Sequence, residues 1–308
     1  RKKLKWPHLP FEIPKEILNE WREIGSKGDA LEKNWLNELN NSKKEIKDNF
    51  NLFNNTIFRD RLNNLVKSEK EKYFREKPAL ATRQCSMKVI ESLNNLMPNL
   101  IGGSADLSGS NNTKTKNSKI INSKNFNGNY IHYGVREHGM SAVMNGIALY
   151  GGLIPYGGTF LIFSDYCKPA IRLSALMGLR VIYIFSHDSI GLGEDGPTHQ
   201  PIEQLSGLRS IPNLKVFRPA DINETLECWE AALNNEKGPS ALILSRQKLN
   251  YISKFPQKMN ISKLGAYELN ISSHDNKVTI IASGSEVELA LSVQKELSGL
   301  SIDSKVVS

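Results

Sequence analysis

The sequence predicts an α/β protein: a parallel sheet sandwiched by helices, followed by an incomplete second α/β domain. Three observations predict it. From Ala81 onward, short apolar runs alternate with stretches whose apolar residues recur at helical spacing, the order that lays parallel strands between two layers of helices. The run Val181-Ile182-Tyr183-Ile184-Phe185 is apolar at every position, as a strand buried on both faces requires. Directly after it, residues 187–201 crowd three glycines, two prolines, two histidines and three acidic residues into one loop. Open α/β sheets place ligands beyond the carboxyl ends of their strands, so this loop is the first candidate for chemistry. The alternative is a polar connection that bends on its glycines.

Residues 1–77 are rich in Lys, Asn and Glu, and Trp6-Pro7, Pro10 and Pro14 predict an extended entry. Scattered apolar positions then predict surface helices over 15–39 and 43–72, in a connecting segment that wraps a core rather than making one; local disorder is the alternative. Met87, Ile90, Leu93 and Leu96 mark a helix over 82–96, and residues 99–103 form a short strand running into a loop. A helix over 136–150 is rich in small residues that permit close packing. Strand 153–160, helix 164–177 and strand 180–186 follow, and then strand 214–218, a helix over 221–234 with Asp221 as its cap, and strand 240–245. The pattern breaks around 254–264. A second unit begins with strand 277–282, a Gly284-Ser285 turn that could bind an anion and is left unassigned, helix 285–297 and strand 305–307. The expected divisions are a linker over 1–77, a first domain over 78–253 and the start of a second over 254–308.

Forty basic against thirty-two acidic residues give a net charge of +8, dense in 1–77 and 114–124. A nucleic-acid partner is the generic inference, yet no Arg-rich groove motif or interleaved aromatic platform accompanies it, and small phosphorylated substrates would use the same potential. Cys85, Cys167 and Cys228 lie far apart without a CxxC, so neither a disulfide framework nor a zinc site is indicated. No apolar run is long enough to span a bilayer. The start lacks Met, and the sequence reads as a piece of a longer protein.

Five motifs occur in a telling order: Ile101-Gly-Gly-Ser-Ala-Asp-Leu-Ser108, Tyr133-Gly-Val-Arg-Glu-His138, Pro155-Tyr-Gly-Gly-Thr-Phe160, the 187–201 loop, and Leu244-Ser-Arg-Gln247. Together they resemble the transketolases, thiamine diphosphate enzymes, over the linker, the pyrimidine-binding domain and the start of the C-terminal domain. Several of the motifs recur across thiamine diphosphate enzymes; the Asp195–Pro201 stretch joined to Gly102–Leu107 narrows the resemblance to transketolase and its close relatives.

The resemblance implies reversible transfer of a two-carbon ketol unit from a ketose phosphate such as xylulose 5-phosphate to an aldose phosphate such as ribose 5-phosphate or erythrose 4-phosphate. It places that reaction in the pentose phosphate pathway, in a cytoplasmic homodimer with active sites at the subunit interface. It implies thiamine diphosphate with Mg²⁺ or Ca²⁺, the metal ligands lying in a diphosphate-binding domain upstream of residue 1, so that no metal ligand is assigned here. Nucleic acid and membrane are not expected partners.

Residue by residue, the resemblance makes Glu137 catalytic, hydrogen-bonded to the cofactor's aminopyrimidine, where a carboxyl in a dry site can share a proton with a weak nitrogen base. Asp106, Phe160, Phe163 and Tyr166 would also hold the cofactor. Arg83, Ser110, His187 and Arg246 would bind the sugar phosphate, and Asp195 and His199 would contact the substrate deeper in the channel, His199 also passing protons. Ser110 sits in Ser108-Gly-Ser-Asn-Asn112, which departs from the Pro-bearing form of the family's motif. Blander readings stand beside these: Glu137 as a helix-dipole partner, the aromatics as core, Arg83 as a solvated helix-start residue, Arg246 paired with an acid. Dihydroxyacetone synthase and a non-catalytic transketolase-like partner protein are the rival functions.

Overall fold

The computed structural model describes residues 1–51, 56–253, 259–269 and 277–308, and the chain divides into two compact units, Arg1–Asn55 and Thr56–Ser308. In the first unit, a short 3₁₀ turn at Lys2–Leu4 precedes α1 (Lys15–Asn41) and α2 (Lys44–Asn51). None of the residues of α1 is buried, and Trp21, Ile24 and Leu31 stand in solvent. Trp35 meets Phe50 edge to face, with ring centroids 5.4 Å apart. The helical stretch expected over 43–72 corresponds to α2 and α3 (Thr56–Glu76), with 52–55 outside the described residues.

After α3 the second unit runs α4 (Thr82–Leu96), β1 (Leu100–Ser104), α5 (Ser108–Asn111), β2 (Tyr130–His132), α6 (Glu137–Tyr150) and β3 (Ile154–Phe160). It continues with α7 (Ser164–Leu176), β4 (Ile182–Ser186), α8 (Gln204–Arg209), β5 (Lys215–Phe217), α9 (Ile222–Leu233) and β6 (Ser240–Leu244). The six strands form one sheet in the order β2-β1-β3-β4-β6-β5, every adjacent pair parallel. A second, two-stranded parallel sheet joins β7 (Val278–Ile281) to β8 (Ser304–Val307) through α10 (Glu286–Gly299), a single βαβ unit. The expected change of pattern at 254–258 lies outside the described residues.

β1, β3, β4 and β6 are buried at every position, which is why their sequences do not alternate. Register carries their ends to one level: Phe160 of β3 pairs with Ser186 of β4, and Ser186 with Leu244 of β6. Glycine lets the layers approach. A Cβ on Gly157 would lie 2.6 Å from Met144 Sδ, so the bare backbone there seats α6 against β3. Asp221 caps α9 by accepting a 2.9 Å bond from the Glu224 N–H.

α3 is more than a surface helix. Leu62, Val66 and Tyr73 are buried, and Lys70 forms an enclosed ion pair with Glu227 of α9. Glu227 Oε2 also accepts from the backbone of Ile261 and Ser262 and from the Ser262 hydroxyl, so one carboxylate ties α3, α9 and the segment leading to the second sheet. Removing one partner of such a pair leaves a buried uncompensated charge. Lys70→Met is therefore expected to lower stability by about 3 kcal/mol, read from the midpoint and slope of urea unfolding; an unchanged midpoint would mean that the pair contributes nothing.

Candidate active site

Two groups of side chains collect near the carboxyl ends of β1, β3, β4 and β6 and the amino termini of α4 and α6. Arg83 and Arg246, 163 positions apart, are brought there by their neighbours. Thr82 N–H donates to Ser245 Oγ at 3.0 Å, and Ser245 N–H donates to Thr82 Oγ1 at 2.7 Å, a buried reciprocal pair. Each arginine is the next residue along. Neither has a carboxylate within ion-pair distance among the described residues. Arg83 donates to the Ser110 carbonyl at 2.6 Å, while its Nε is buried without a partner. Burial and then the nearby Arg246 hold the Arg83 guanidinium below its ordinary range. Two unpaired cations side by side form a site for an anion. Ser110 enters through its carbonyl, on the four-residue helix α5 that the Pro-free motif forms.

His187 follows β4 with φ of 58°, a left-handed conformation that costs a non-glycine residue on the order of 1 kcal/mol. The residue is 4% exposed, and its ring stacks on Phe160 at 3.7 Å between centroids. Nδ1 lies 2.9 Å from Ser186 Oγ. Burial first, then the positive charges of Arg83 and Arg246 and the neighbouring His199, push the imidazole down to about 4, with Asp195 opposing them. His187 is therefore neutral at physiological pH.

Phe160 ends β3, a 3₁₀ turn at Leu161–Phe163 follows, and α7 begins, so Phe163 and Tyr166 continue the aromatic row. Phe160 and Phe163 stack at 5.8 Å, and Phe163 meets Tyr166 at 6.1 Å. His199 sets its ring edge-on to Phe163 at 5.3 Å and to Phe160 at 6.0 Å, with Nδ1 2.9 Å from Thr198 Oγ1. Asp195 is exposed on the same loop. Next to the row, Ala105, Asp106, Leu107, Val135, Glu137, Phe163 and Tyr166 line an open cleft of about 480 Å³. Glu137 is half-buried at the first position of α6, and Asp106 takes φ of 61°. Val135 and Tyr166 remain 75% and 64% exposed, an apolar rim around the acids. The structure thus groups Asp106, Glu137, Phe163 and Tyr166 in one place and Arg83, Ser110, His187 and Arg246 in another, with Phe160 and His199 between.

Sequence reasoning missed the polar residues behind these groups. Ser186 donates to Asn111 Oδ1 at 2.6 Å, and Asp188 is held by Arg218 at 2.9 Å from Nε. Arg218 also donates to the Ser283 carbonyl at 3.0 Å and binds Glu286, so the Gly284-Ser285 turn, left unassigned in the sequence, is occupied by a cation. A polar residue ending a buried strand, or an Arg in a loop, carries no signal until its partner is known. Among the described residues no group of three or more His, Cys, Asp or Glu could hold a metal ion, and no helix is long and apolar enough to cross a membrane.

Residues 78–251 match the family model for the transketolase pyrimidine-binding domain, and 265–308 match that for the transketolase-like C-terminal domain. A transketolase of Sinorhizobium medicae is 50% identical over 96% of this chain and 42% of its own length; one of Aquifex aeolicus is 45% identical over 100% and 44%. The chain thus spans less than half the length of these relatives. Among solved structures, a Pichia stipitis transketolase mutant superposes with TM-score 0.87 at 35% identity, covering 99% of this chain and 46% of that one. A complex of the Pichia stipitis enzyme with sedoheptulose 7-phosphate gives 0.82 at 36% identity, covering 97% and 44%. A split-gene transketolase, described as an inactive β4 tetramer, gives 0.61 at 27% identity, covering 75% and 71%.

The low proton affinity of His187 has a consequence for stability. Its folded value of about 4 lies below its ordinary 6.5, so between those values the unfolded chain binds more protons, and stability falls as pH falls through that window. From pH 7 to pH 5, His187→Gln should remove about 2 kcal/mol of the wild-type decline, measured by urea unfolding at both pH values. Parallel declines in the two proteins would mean that His187 is not held neutral.

Proposed function

The chain belongs to the transketolase family, and from that premise we propose that it carries the sugar-phosphate and pyrimidine half of a thiamine diphosphate-dependent transketolase site. The observation that carries this reading is the unpaired Arg83–Arg246 couple one ring-stack away from a cleft holding Glu137: an anion site and a carboxylate site, joined by Phe160 stacked on His187. An anion site next to a carboxylate cleft suits a phosphorylated sugar whose reacting end reaches the carboxylate side. The reaction proposed is reversible transfer of a two-carbon unit from a ketose phosphate of the xylulose 5-phosphate type to an aldose phosphate of the ribose 5-phosphate or erythrose 4-phosphate type, a step of the pentose phosphate pathway. Sedoheptulose 7-phosphate bound to the Pichia stipitis relative supports the substrate class.

The cleft's donor set fits an aminopyrimidine. A half-buried carboxylate faces a wall of flat rings, and its rim is apolar enough to exclude water. When bound, thiamine diphosphate supplies a nucleophilic carbon and a sink for the electrons released on carbon–carbon cleavage. Glu137 would hold a proton against a pyrimidine ring nitrogen, and Asp106 with Phe160, Phe163 and Tyr166 would orient that ring and keep it dry. Arg83, Arg246, His187 and Ser110 would bind the distal phosphate. Asp195 would accept from the hydroxyl beside the donor carbonyl, and His199 would deliver or remove a proton at that carbonyl's oxygen. The diphosphate and a Mg²⁺ or Ca²⁺ ion would be held by residues outside this chain. The working form is a cytoplasmic homodimer, in which the partner subunit completes each site.

The test uses the full-length protein with thiamine diphosphate and Mg²⁺, following release of glyceraldehyde 3-phosphate from xylulose 5-phosphate plus ribose 5-phosphate. Glu137→Ala should lower kcat by about 100-fold or more, because proton transfer of this kind contributes that much. Arg246→Ala should raise KM about tenfold or more with a smaller change in kcat, the mark of a group that binds rather than reacts. No turnover from folded, cofactor-loaded wild type would overturn the proposal.

A further inference from the structure

A buried hydrogen-bond chain behind His187 has a fixed direction. Ser104 Oγ donates to the Gly158 carbonyl at 3.0 Å, and a carbonyl can only accept. Toward Asn111 the Ser104 hydroxyl is therefore an acceptor, which it is for Asn111 Nδ2 at 3.2 Å. That fixes which end of the amide faces the other way: Asn111 Oδ1, 2.6 Å from Ser186 Oγ, takes the only proton that Ser186 has. Ser186 in turn can only accept from His187, so the imidazole proton sits on Nδ1, 2.9 Å away. Ser104, Asn111 and Ser186 are wholly buried, and no water competes for these bonds. His187 Nε2 has no hydrogen-bond partner among the described residues, and it is not among the buried unpartnered atoms, so it is open to solvent.

We infer that Asn111 and Ser186 are positioning residues that hold His187 as the Nδ1–H tautomer, so that a phosphate arriving at Nε2 meets a lone pair and binds with uptake of one proton. This rests on the phosphate-site reading above and specifies how that site takes its anion. The groups facing the ring are Arg83 from α4, Arg246 from the turn after β6, and Asp195 and His199 from its own loop, with Phe160 of β3 on one face. In their presence the empty ring is neutral, its proton affinity depressed to about 4. A phosphate monoester above its second pKa of about 6 is a dianion with acceptors only. Two lone pairs cannot bond. Either Nε2 gains a proton from solvent and donates it, or the phosphate keeps its own O–H and donates to Nε2. Both complexes hold one proton more than the neutral ring plus the dianion.

Calorimetric titration of the full-length, cofactor-loaded protein with ribose 5-phosphate at pH 8, in two buffers of different ionisation enthalpy, counts that proton directly. Wild type should take up about one proton per site. Ser186→Ala and Asn111→Leu should each take up less than half as much. Without Ser186 the ring is free to carry its proton on Nε2, and without Asn111 the Ser186 hydroxyl is free to donate to Nδ1. A change that only loosened packing would weaken binding without altering the proton count. Nitrogen-15 spectra of labelled histidine in the wild type give a second reading that needs no variant: at pH 8 Nδ1 of His187 should be the protonated nitrogen. Ribose 5-phosphate binding that His187→Leu weakens, without proton uptake in the wild type or with Nε2 as the protonated nitrogen, would overturn the relay and leave the phosphate site standing. Binding indifferent to both His187→Leu and Arg83→Leu would remove the phosphate site itself, and the relay's role with it.

Discussion

The parallel register that β4 keeps with β3 and β6 is the constraint on which the cleft depends. All three strands are sealed from water, so each backbone N–H and C=O in them must find its partner in the ladder. A slip of one residue would turn every side chain to the opposite face. With register fixed, Phe160, Ser186 and Leu244 finish level, and whatever follows each strand leaves the sheet at the same height. That is how an aromatic row, an imidazole and a guanidinium from three distant stretches of chain arrive together without any one loop having to reach for the others.

Positive charge is the second organising theme. A net charge of +8 says little by itself, and most of the lysines are solvated. What matters is charge that the fold declines to neutralise. Thr82 and Ser245 lock their backbones to one another, and the adjacent arginines are close enough to repel, with no carboxylate in ion-pair distance of either among the described residues. The cost is visible in the depressed proton affinities of Arg83 and His187, both driven first by burial. Elsewhere in the same unit the fold does neutralise buried charge, as at Lys70 with Glu227 and Arg218 with Asp188. The contrast within one molecule marks the Arg83–Arg246 couple as a place left open for a ligand.

How much of this was legible in the sequence depended on element length and on whether a residue announces its partner. Thr82–Leu96 and α9 with its Asp221 cap could be read because several helical turns of periodicity and a capping side chain agree. β2 and α5 could not: three or four residues cannot display a period, and β2 exists because Tyr130 and its neighbours find β1 across the bare backbone of Gly102 and Gly103. α3 reads as a solvated helix until α9 is placed against it, since its buried lysine is indistinguishable in sequence from its exposed ones. The candidate site residues were chosen through a resemblance in motif rather than from spacing. Asn111 and Ser186, ordinary polar residues beside those motifs, acquire meaning only when the fold brings them, 75 positions apart in sequence, to 2.6 Å.

Arg218 adds a mechanical side to this architecture. One guanidinium grips Asp188, the residue next to His187, and with its other nitrogens grips the turn between β7 and α10. Among the described residues, none of the small βαβ unit that carries this turn lines the cleft. It nonetheless acts as an abutment: a rotation of that unit must either break the bonds of the Arg218 guanidinium or pull on the loop that begins at His187, so a distortion in the small sheet reaches the candidate site through the backbone beside a single histidine.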